Sequence, residues 1–387
     1  MRFQPPFCPA VAAGHAQHAG FQYQRRGSYV RHCDGRRVQR FICTLCRTSF
    51  SSQTFRFDYR HKRPSFDHEI FLGFVSKVSQ RQIARNRPFS RKVVARRLRR
   101  FGAHGRAFHE RQLGLLGPKQ AWPGAFQLDE LETFEHNRRL RPLTVPVLIH
   151  RPSYCVLHTA VGTLPARKPL SPRNQEKLRV QEEKEGKRRS ESRIRVRECF
   201  ERLGKVGPQL GPVRVRTDEK TSYATELKRV FGERLVHRTT ASKVPKCYEN
   251  PLFPINHTLA MLRDGLSRLV RRNWGTTKKA WALDLHLWTW IAWRNYVRPI
   301  TNSNAKETPA MVAGLIPGKL ELADLLRWRV FPHAPHSLGG QSPVSACRVQ
   351  AEPVGGSAPS PPCSRTASAA IRLAQERLRS RRPAGVR

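Results

Sequence analysis

The sequence predicts an α/β protein made of consecutive modules, and three observations lead to that prediction. A Cys-x-x-Cys pair stands at Cys43 and Cys46, a basic segment with helical spacing follows it, and strand-like apolar runs begin near residue 125. Beyond residue 336 the chain is rich in Ser, Pro, Gly and Ala, which is typical of disorder. The predicted parts are a metal-binding module over 1–60, a helix-turn-helix over 61–104, a linker over 105–124, a sheet domain over 125–335 and a mostly disordered basic tail over 336–387.

The charge of the chain narrows the class of partner. The 387 residues include 72 Lys and Arg against 28 Asp and Glu, which gives a formal net charge of +44. Such a chain needs a polyanion, and nucleic acid is the natural one because each neutralised phosphate releases counterions. No apolar run approaches the ~20 residues of a membrane span, so no membrane partner is expected. The nine cysteines are irregularly spaced, which favours a reducing, intracellular compartment over a disulfide framework.

The Cys43–Cys46 segment has the form of one zinc-ribbon knuckle. Two thiolates three residues apart on a tight turn supply two of the four ligands of a tetrahedral Zn²⁺. We expect Cys8 to be the third ligand and His15 to be the fourth, with His18 as an equal candidate and Cys33 as a weaker one. The alternative is that the two cysteines are small buried hydrophobes left from a decayed site.

The second module has the pattern of a helix-turn-helix. Apolar residues recur at helical spacing from Ile70 to Phe101, and a break at 86–90 places Ser90 to cap a final helix over 91–100. No acid occurs from Ser90 to Phe101, so the basic side chains of that helix cannot form ion pairs within the helix. A helix lying in the major groove is therefore favoured over a solvated charged face. The predicted DNA contacts on it are Arg91, Lys92, Arg96, Arg97, Arg99 and Arg100.

Two predicted strands deliver acids at their ends. The run 125–130 reaches Asp129 and the run 212–218 reaches Asp218, while 143–149 and 154–162 read as further strands. Carboxylates at neighbouring strand ends can share Mg²⁺ ions, which would serve phosphoryl transfer. Asp is also common at strand ends as a turn residue, so a single acid would be weak evidence.

Together these features resemble the short bacterial transposases of the insertion-sequence-one type. The resemblance rests on the knuckle, on Asp129-Glu130-x-x-x-Phe134 and on Asp218-x-x-x-Ser222-Tyr223, and it covers roughly residues 5–330. It implies an RNase-H-like mixed-sheet catalytic domain behind a zinc ribbon and a helix-turn-helix. It also implies Mg²⁺ or Mn²⁺ at Asp129 and Asp218, Zn²⁺ at the ribbon, and double-stranded DNA as partner through terminal inverted repeats and target DNA. A homo-oligomer on DNA, in the cytoplasm and associated with the nucleoid, is expected.

The third acid departs from the family pattern. The family places a Glu shortly after an Asn-His pair, whereas here Leu follows Asn256-His257 at that position and the nearest acid is Asp264. Asp264 is either the third catalytic acid or a surface acid paired with Arg268 four residues later. Arg263 and Arg268 on the same helix are predicted to grip phosphates.

Two further interpretations remain open at the level of sequence. The tryptophan-rich stretch 274–298 is most simply a helix that closes the core, and a base-stacking platform is the alternative. The leading function is a DNA transposase. A degraded, catalytically inactive DNA-binding derivative is the main alternative, and a basic RNA-binding protein is a third that depends on charge alone.

Overall fold

The computed structural model describes residues 3–10, 21–88, 90–117, 122–241, 243–270, 275–301 and 306–331, which all belong to one compact unit (Met1–Ser342). The predicted tail over 336–387 lies outside the described residues. The strands are β1 (Tyr23–Val30), β2 (Arg37–Cys43), β3 (Ser49–Ser51), β4 (Phe126–Phe134), β5 (Pro142–His150), β6 (Cys155–Thr159), β7 (Gly162–Thr163), β8 (Val213–Thr217) and β9 (Leu235–Thr239). The α-helices are α1 (Asp67–Val75), α2 (Gln80–Arg85), α3 (Arg91–Gly114), α4 (Pro172–Glu185), α5 (Ser192–Val206), α6 (Thr221–Phe231), α7 (Phe253–Gly265), α8 (Ala280–Tyr296), α9 (Pro309–Val312) and α10 (Leu322–Leu325).

The first sheet is small and antiparallel, in the order β1-β2-β3. Three short strands cannot bury enough apolar area alone, and the missing cover comes from the other end of the described chain. Phe3 stacks on Trp328 with ring centroids 5.5 Å apart, and the Arg329 amide donates to the Phe55 carbonyl at 2.8 Å. The predicted module over 1–60 is thus completed by residues far outside its predicted boundary.

Three helices follow the small sheet, in the order that the sequence predicts. Ser79 caps α2 through a capping box with Gln82. Ser90 precedes α3 as expected, although its hydroxyl makes no capping hydrogen bond. The predicted linker over 105–124 is wrong in its first half, because α3 continues without a break to Gly114.

Helix α3 continues because its second half packs against α8. A Cβ atom added at Gly102 would stand 2.3 Å from the Leu285 carbonyl oxygen, and one at Gly105 would stand 2.6 Å from that of Trp288. The two backbones therefore nearly touch, which only glycine allows. Most buried positions of α3 in this region are Gly, His and Gln, beside Phe108 and Leu113, and a segment rich in these residue types resembles a linker.

The tryptophan-rich stretch confirms the simpler of its two interpretations. Trp288, Trp290 and Tyr296 of α8 are fully buried, whereas Trp281 at the start of the helix is 49 % exposed. The His109 ring lies between the Tyr296 hydroxyl (2.8 Å) and the Leu157 carbonyl (3.1 Å). Helix α8 therefore joins α3 to the larger sheet.

The larger sheet is mixed. Its order is β6-β5-β4-β8-β9, with β7 paired to β5. Strands β4, β5 and β6 pair antiparallel, whereas β4, β8 and β9 pair parallel. Since strand residues alternate between faces, α5 and α6 contact the β4 face that carries Glu130, and α7 contacts the face that carries Gln127.

The predicted strands of this sheet are confirmed with two changes: the run 154–162 divides into β6 and β7, and β4 is longer than predicted. Asp129 does not end its strand, because β4 continues to Phe134 and pairs with β5 residue by residue to Pro142. The charge-dense segment 172–197 forms α4, which has no buried residue, and the first part of α5. Across the described residues, we find no helix with both the length and the apolarity needed to cross a membrane.

Candidate metal centres and nucleic-acid interface

Three cysteine thiols converge at one end of the small sheet. Cys43 ends β2, Cys46 lies on the turn after it, and Cys8 comes from the segment before β1. The three Sγ atoms lie within 4.8 Å of one another, and those of Cys8 and Cys46 are 3.6 Å apart. Two thiolates on a tetrahedral zinc ion stand about 3.8 Å apart, given Zn–S bonds of about 2.3 Å. The spacing and the donor type therefore fit a metal ion.

The environment of these thiols favours an ionised member. Burial raises the pKa of Cys8 to about 12. Burial also opposes ionisation of Cys46, but hydrogen bonds from Thr48 and from the thiols of Cys8 and Cys43 lower the pKa of Cys46 to about 6. The Thr48 hydroxyl lies 3.2 Å from the Cys46 sulfur. One thiolate held by neighbouring donors is the form that binds metal.

The fourth ligand of this centre is not among the described cysteines. Cys33 is exposed, and its sulfur lies 3.7 Å from the His61 carbonyl oxygen, outside the thiol group. His15 and His18 lie outside the described residues. Three of the four predicted ligands are thus brought together.

The predicted recognition helix presents an exposed basic surface. Arg91, Lys92 and Arg96 occupy the first two turns of α3 with exposed side chains, and none makes an ion pair with an acid in the described part of the chain. Arg99 stacks over the exposed Trp281 ring at 4.7 Å, and Arg100 donates to the Tyr59 carbonyl at 2.6 Å.

Arg97 departs from the predicted set of DNA contacts. Its Nε atom lies 2.6 Å from Asp67 Oδ1, and the two side chains are only 12 % and 7 % exposed. The second carboxylate oxygen of Asp67 lies 2.5 Å from His61 Nδ1. The acid comes from α1, so the lack of acids within 90–101 did not reveal it. Arg97 therefore holds α3 against α1 rather than facing outward.

Arg263 and Arg268 are also less available than predicted. Both are only partly exposed, and burial lowers the pKa of Arg268 to about 10. The predicted pairing of Asp264 with Arg268 does not occur. Asp264 is 84 % exposed and pairs instead with Lys77 at 3.2 Å, because α7 ends at Gly265 before a further turn could bring Arg268 beneath it.

Asp129 and Asp218 lie side by side on the larger sheet. The parallel pairing of β4 with β8 aligns Phe126 with Val215 and Gln127 with Arg216, and the same register continued by two residues leads to Asp129 and Asp218. The two acids are close enough for the charge of Asp218 to act on Asp129. The ladder stops just before them, where β8 ends and β4 continues along β5. Such a switch point at a strand end is where α/β sheets bind ligands.

The electrostatics agree with this closeness. Burial, together with the negative charges of Asp218 and Glu130, raises the pKa of Asp129 to about 6, although the Glu130 amide and Lys246 oppose the shift. The Glu130 amide donates to Asp129 Oδ1 at 2.7 Å. A carboxylate whose charge is disfavoured until a cation arrives is suited to a metal site.

Glu130, which sequence reasoning did not single out, anchors the turn that carries Asp218. On the opposite face from Asp129, its carboxylate accepts hydrogen bonds from the hydroxyls of Ser192 (2.6 Å) and Tyr223 (2.8 Å) and pairs with Lys220. The Lys220 amide in turn donates to Asp218 Oδ1 at 3.1 Å. The spacings Asp129-Glu130 and Asp218-x-Lys220-x-x-Tyr223 would have predicted these contacts only if the two strands were already known to be neighbours.

The helix that should provide a third acid contacts Gln127 of β4 with its first turn. Gln127, two residues before Asp129 on the same face, accepts from the Ile255 amide at 3.1 Å and donates to the Pro251 carbonyl at 2.6 Å. Asp264 lies nine residues beyond Ile255, or about 13 Å further along α7. Asp264 therefore lies at the far end of its helix from Gln127, and the catalytic assignment of Asp129, Asp218 and Asp264 stays a prediction.

A scan against protein-family models returned no match, and neither did a search of the curated proteins.

Proposed function

We propose that this chain is a DNA-binding protein of the transposase type, in which Asp129 and Asp218 bind Mg²⁺ or Mn²⁺ for strand cleavage and transfer. The observation that carries the proposal is the β4–β8 register, which leads toward both acids, together with the charge of Asp218 that acts on Asp129. The raised pKa of Asp129 supports it, because two carboxylates kept this close are stabilised by a shared cation.

The sheet supports an RNase-H-like assignment for this domain. A central strand with an antiparallel neighbour on one side and parallel strands on the other, ordered β6-β5-β4-β8-β9, is the arrangement expected of such a domain. Fold alone does not define function. The proposal therefore depends on the acids and on the charge of the chain rather than on the sheet.

The chain's own groups account for the steps that surround the chemistry. A bound divalent cation would activate an attacking oxygen and neutralise charge at the phosphate. Asp129 must lose its proton for binding, which its pKa of about 6 permits at neutral pH. Glu130 and Lys220 position Asp218 through the turn between them. The exposed cations of α3 would hold duplex DNA, and the Cys8, Cys43 and Cys46 group would hold Zn²⁺ in the N-terminal module.

The partners follow from the same proposal. Terminal inverted repeats would bind at the N-terminal module and α3, and target DNA would approach the acid pair, with a homo-oligomer assembling on DNA in the nucleoid. The net charge of +44 supports a nucleic-acid partner.

A catalytically inactive derivative is the second candidate, and one observation favours it. Asp264 is exposed and paired with Lys77, so only two acids stand at the candidate centre among the described residues. Such a protein would keep DNA binding and lose cleavage.

One experiment separates the candidates. The purified chain is incubated with Mn²⁺ and supercoiled plasmid DNA, beside Asp129→Asn, Asp218→Asn and Asp264→Asn. Nicking that is lost in the first two variants and kept in the third supports catalysis by the Asp129–Asp218 pair. DNA binding without nicking by the wild type supports the inactive derivative. If RNA competes for binding better than duplex DNA does, both candidates are wrong and the RNA-binding alternative holds.

A further inference from the structure

An open, basic surface lies beside the acid pair. The face of the larger sheet that carries Asp129 is covered by α7 over β4 and β5, but it stays open over β8 and β9, where Arg214, Val236 and Arg238 are exposed. The opposite face of β9 packs on α6, and on that face of β8 the side chains of Val213, Val215 and Thr217 are buried. An uncovered sheet face of this kind needs an occupant or a solvating charge.

The register fixes four arginines on that face. Arg216 is paired with Gln127 on β4 and with Arg238 on β9, and it lies two residues before Asp218 on the same side of β8. Arg214 lies two residues earlier still. Arg151 follows β5, and its amide donates to the Ala125 carbonyl at 2.9 Å. This hydrogen bond extends the β4–β5 pairing by one residue, so Arg151 lies on the same face of the sheet as the other three arginines.

Arg216 lies close to Arg238 on the neighbouring strand and to Arg151. None of the four pairs with an Asp or Glu in the part of the chain that the structure describes. Burial and the charges of Arg151 and Arg238 lower the pKa of Arg216. Cations held close together without counter-charges repel one another and destabilise the unbound protein. A bound chain of phosphates would remove that repulsion.

An aromatic ladder leads outward from the same place. The Tyr154 ring lies 5.9 Å from His257, His257 stacks on Phe253 at 5.7 Å, and Phe253 lies 5.2 Å from Tyr248. Tyr248 ends the ladder with 53 % of its surface exposed. It lies on the segment between β9 and α7 that also carries Lys246, whose charge acts on Asp129. An exposed ring beside a phosphate track is a stacking platform for an unpaired base.

We infer that this arginine surface (Arg151, Arg214, Arg216 and Arg238) and Tyr248 together bind a single-stranded DNA segment that leads to the Asp129–Asp218 pair. The arginines hold successive phosphates, and Tyr248 stacks a base that has left the duplex. The inference deepens the proposed function, but it concerns binding and needs no cleavage, so it can fail or hold independently of catalysis.

The test measures binding of the full chain, without divalent metal, to two probes of one sequence: a blunt duplex and the same duplex with a single-stranded tail of about ten nucleotides. We expect tighter binding of the tailed probe. The triple variant Arg151→Ala, Arg216→Ala and Arg238→Ala should reduce the slope of log affinity against log salt for the tail by about two, since each strand phosphate contributes about 0.7. Tyr248→Ala should weaken only the tailed complex, by roughly 5- to 100-fold, and Tyr248→Trp should restore it.

The control removes the same charge from the opposite face. Lys205, Lys228 and Arg229 are exposed on α5 and α6, and their replacement by Ala should leave the difference between the two probes unchanged. An equal fall of the salt slope in both triple variants would mean that only bulk charge matters. A tail preference that Tyr248→Ala leaves intact would remove the stacking role. Either result overturns the inference, and neither depends on whether the chain nicks DNA.

Discussion

Replacing Asp129 by Asn should stabilise the metal-free protein at alkaline pH. Burial and the neighbouring carboxylates raise the pKa of Asp129 from the ordinary 3.8 to about 6, so the fold disfavours its charged form. A group with a raised folded-state pKa stabilises the fold below its unfolded pKa and loses that contribution as pH rises through the folded value. At pH 8 the charged carboxylate therefore carries its full cost, and at pH 4 it carries almost none.

The magnitude follows from the shift. About two pKa units at 1.36 kcal/mol each correspond to roughly 3 kcal/mol at pH 8, which moves the melting temperature of a unit of this size by about 4 °C. Urea unfolding of wild type and Asp129→Asn at pH 8 and pH 4, with a chelator present, measures the difference. Adding Mn²⁺ at pH 8 should then stabilise the wild type and leave the variant unchanged, because only the wild type binds the ion.

Asp264→Asn is the matched control, since Asp264 is 84 % exposed and its removal should change stability by less than about 0.5 kcal/mol at either pH. The reasoning fails if Asp129→Asn is no more stable than the wild type at pH 8. That result would show that Asp129 is already compensated by a cation such as Lys246, and that the acid pair is not poised for a metal.

Four other changes test the remaining parts of the structure. Gly102→Ala places a methyl group against the backbone of α8 and should cost about 3 kcal/mol in urea unfolding, whereas Gly117→Ala, with open space around it, should cost nothing measurable. Cys46→Ser should abolish zinc binding by the purified chain, as measured with a chromogenic chelator. Arg96→Ala should reduce the ratio of specific to random-DNA binding by about 1–3 kcal/mol, whereas Arg97→Ala should destabilise the fold by about 3 kcal/mol, because it removes the guanidinium that pairs with the buried Asp67 carboxylate.

The sequence was sufficient for features that depend on local pattern. The knuckle cysteines, Ser90 before α3, and the strands that carry Asp129 and Asp218 follow from spacing and residue type. The resemblance to the transposases predicts that the two acids lie close together, but the strand register that brings them near depends on which strands are neighbours. No property of residues 125–130 or 212–218 alone contains that information.

Features that depend on distant partners were missed or misassigned. Arg97 reads as a surface cation until Asp67 of α1 is placed beside it. The second half of α3 reads as a linker because close helix crossing requires glycine at the contact, and glycine predicts a break. In the sequence, Glu130 is only the residue next to a predicted catalytic acid. Its ion pair with Lys220 is seen only in the folded chain.

The continuity of α3 has a consequence for the proposed reaction. Its first turns carry the exposed Arg91, Lys92 and Arg96, and its second half packs on α8. Helix α8 in turn reaches the larger sheet, where Asn295 exchanges hydrogen bonds with the Val156 backbone at 2.8 and 3.1 Å. A helix of 24 residues is about 36 Å long, so a rigid element rather than a linker joins the proposed recognition surface to the sheet that carries the acids. Under the proposed function, the distance along DNA from the recognised bases to the cut is therefore fixed by helix packing, and loosening the α3–α8 contact should blur the cleavage position before it abolishes binding.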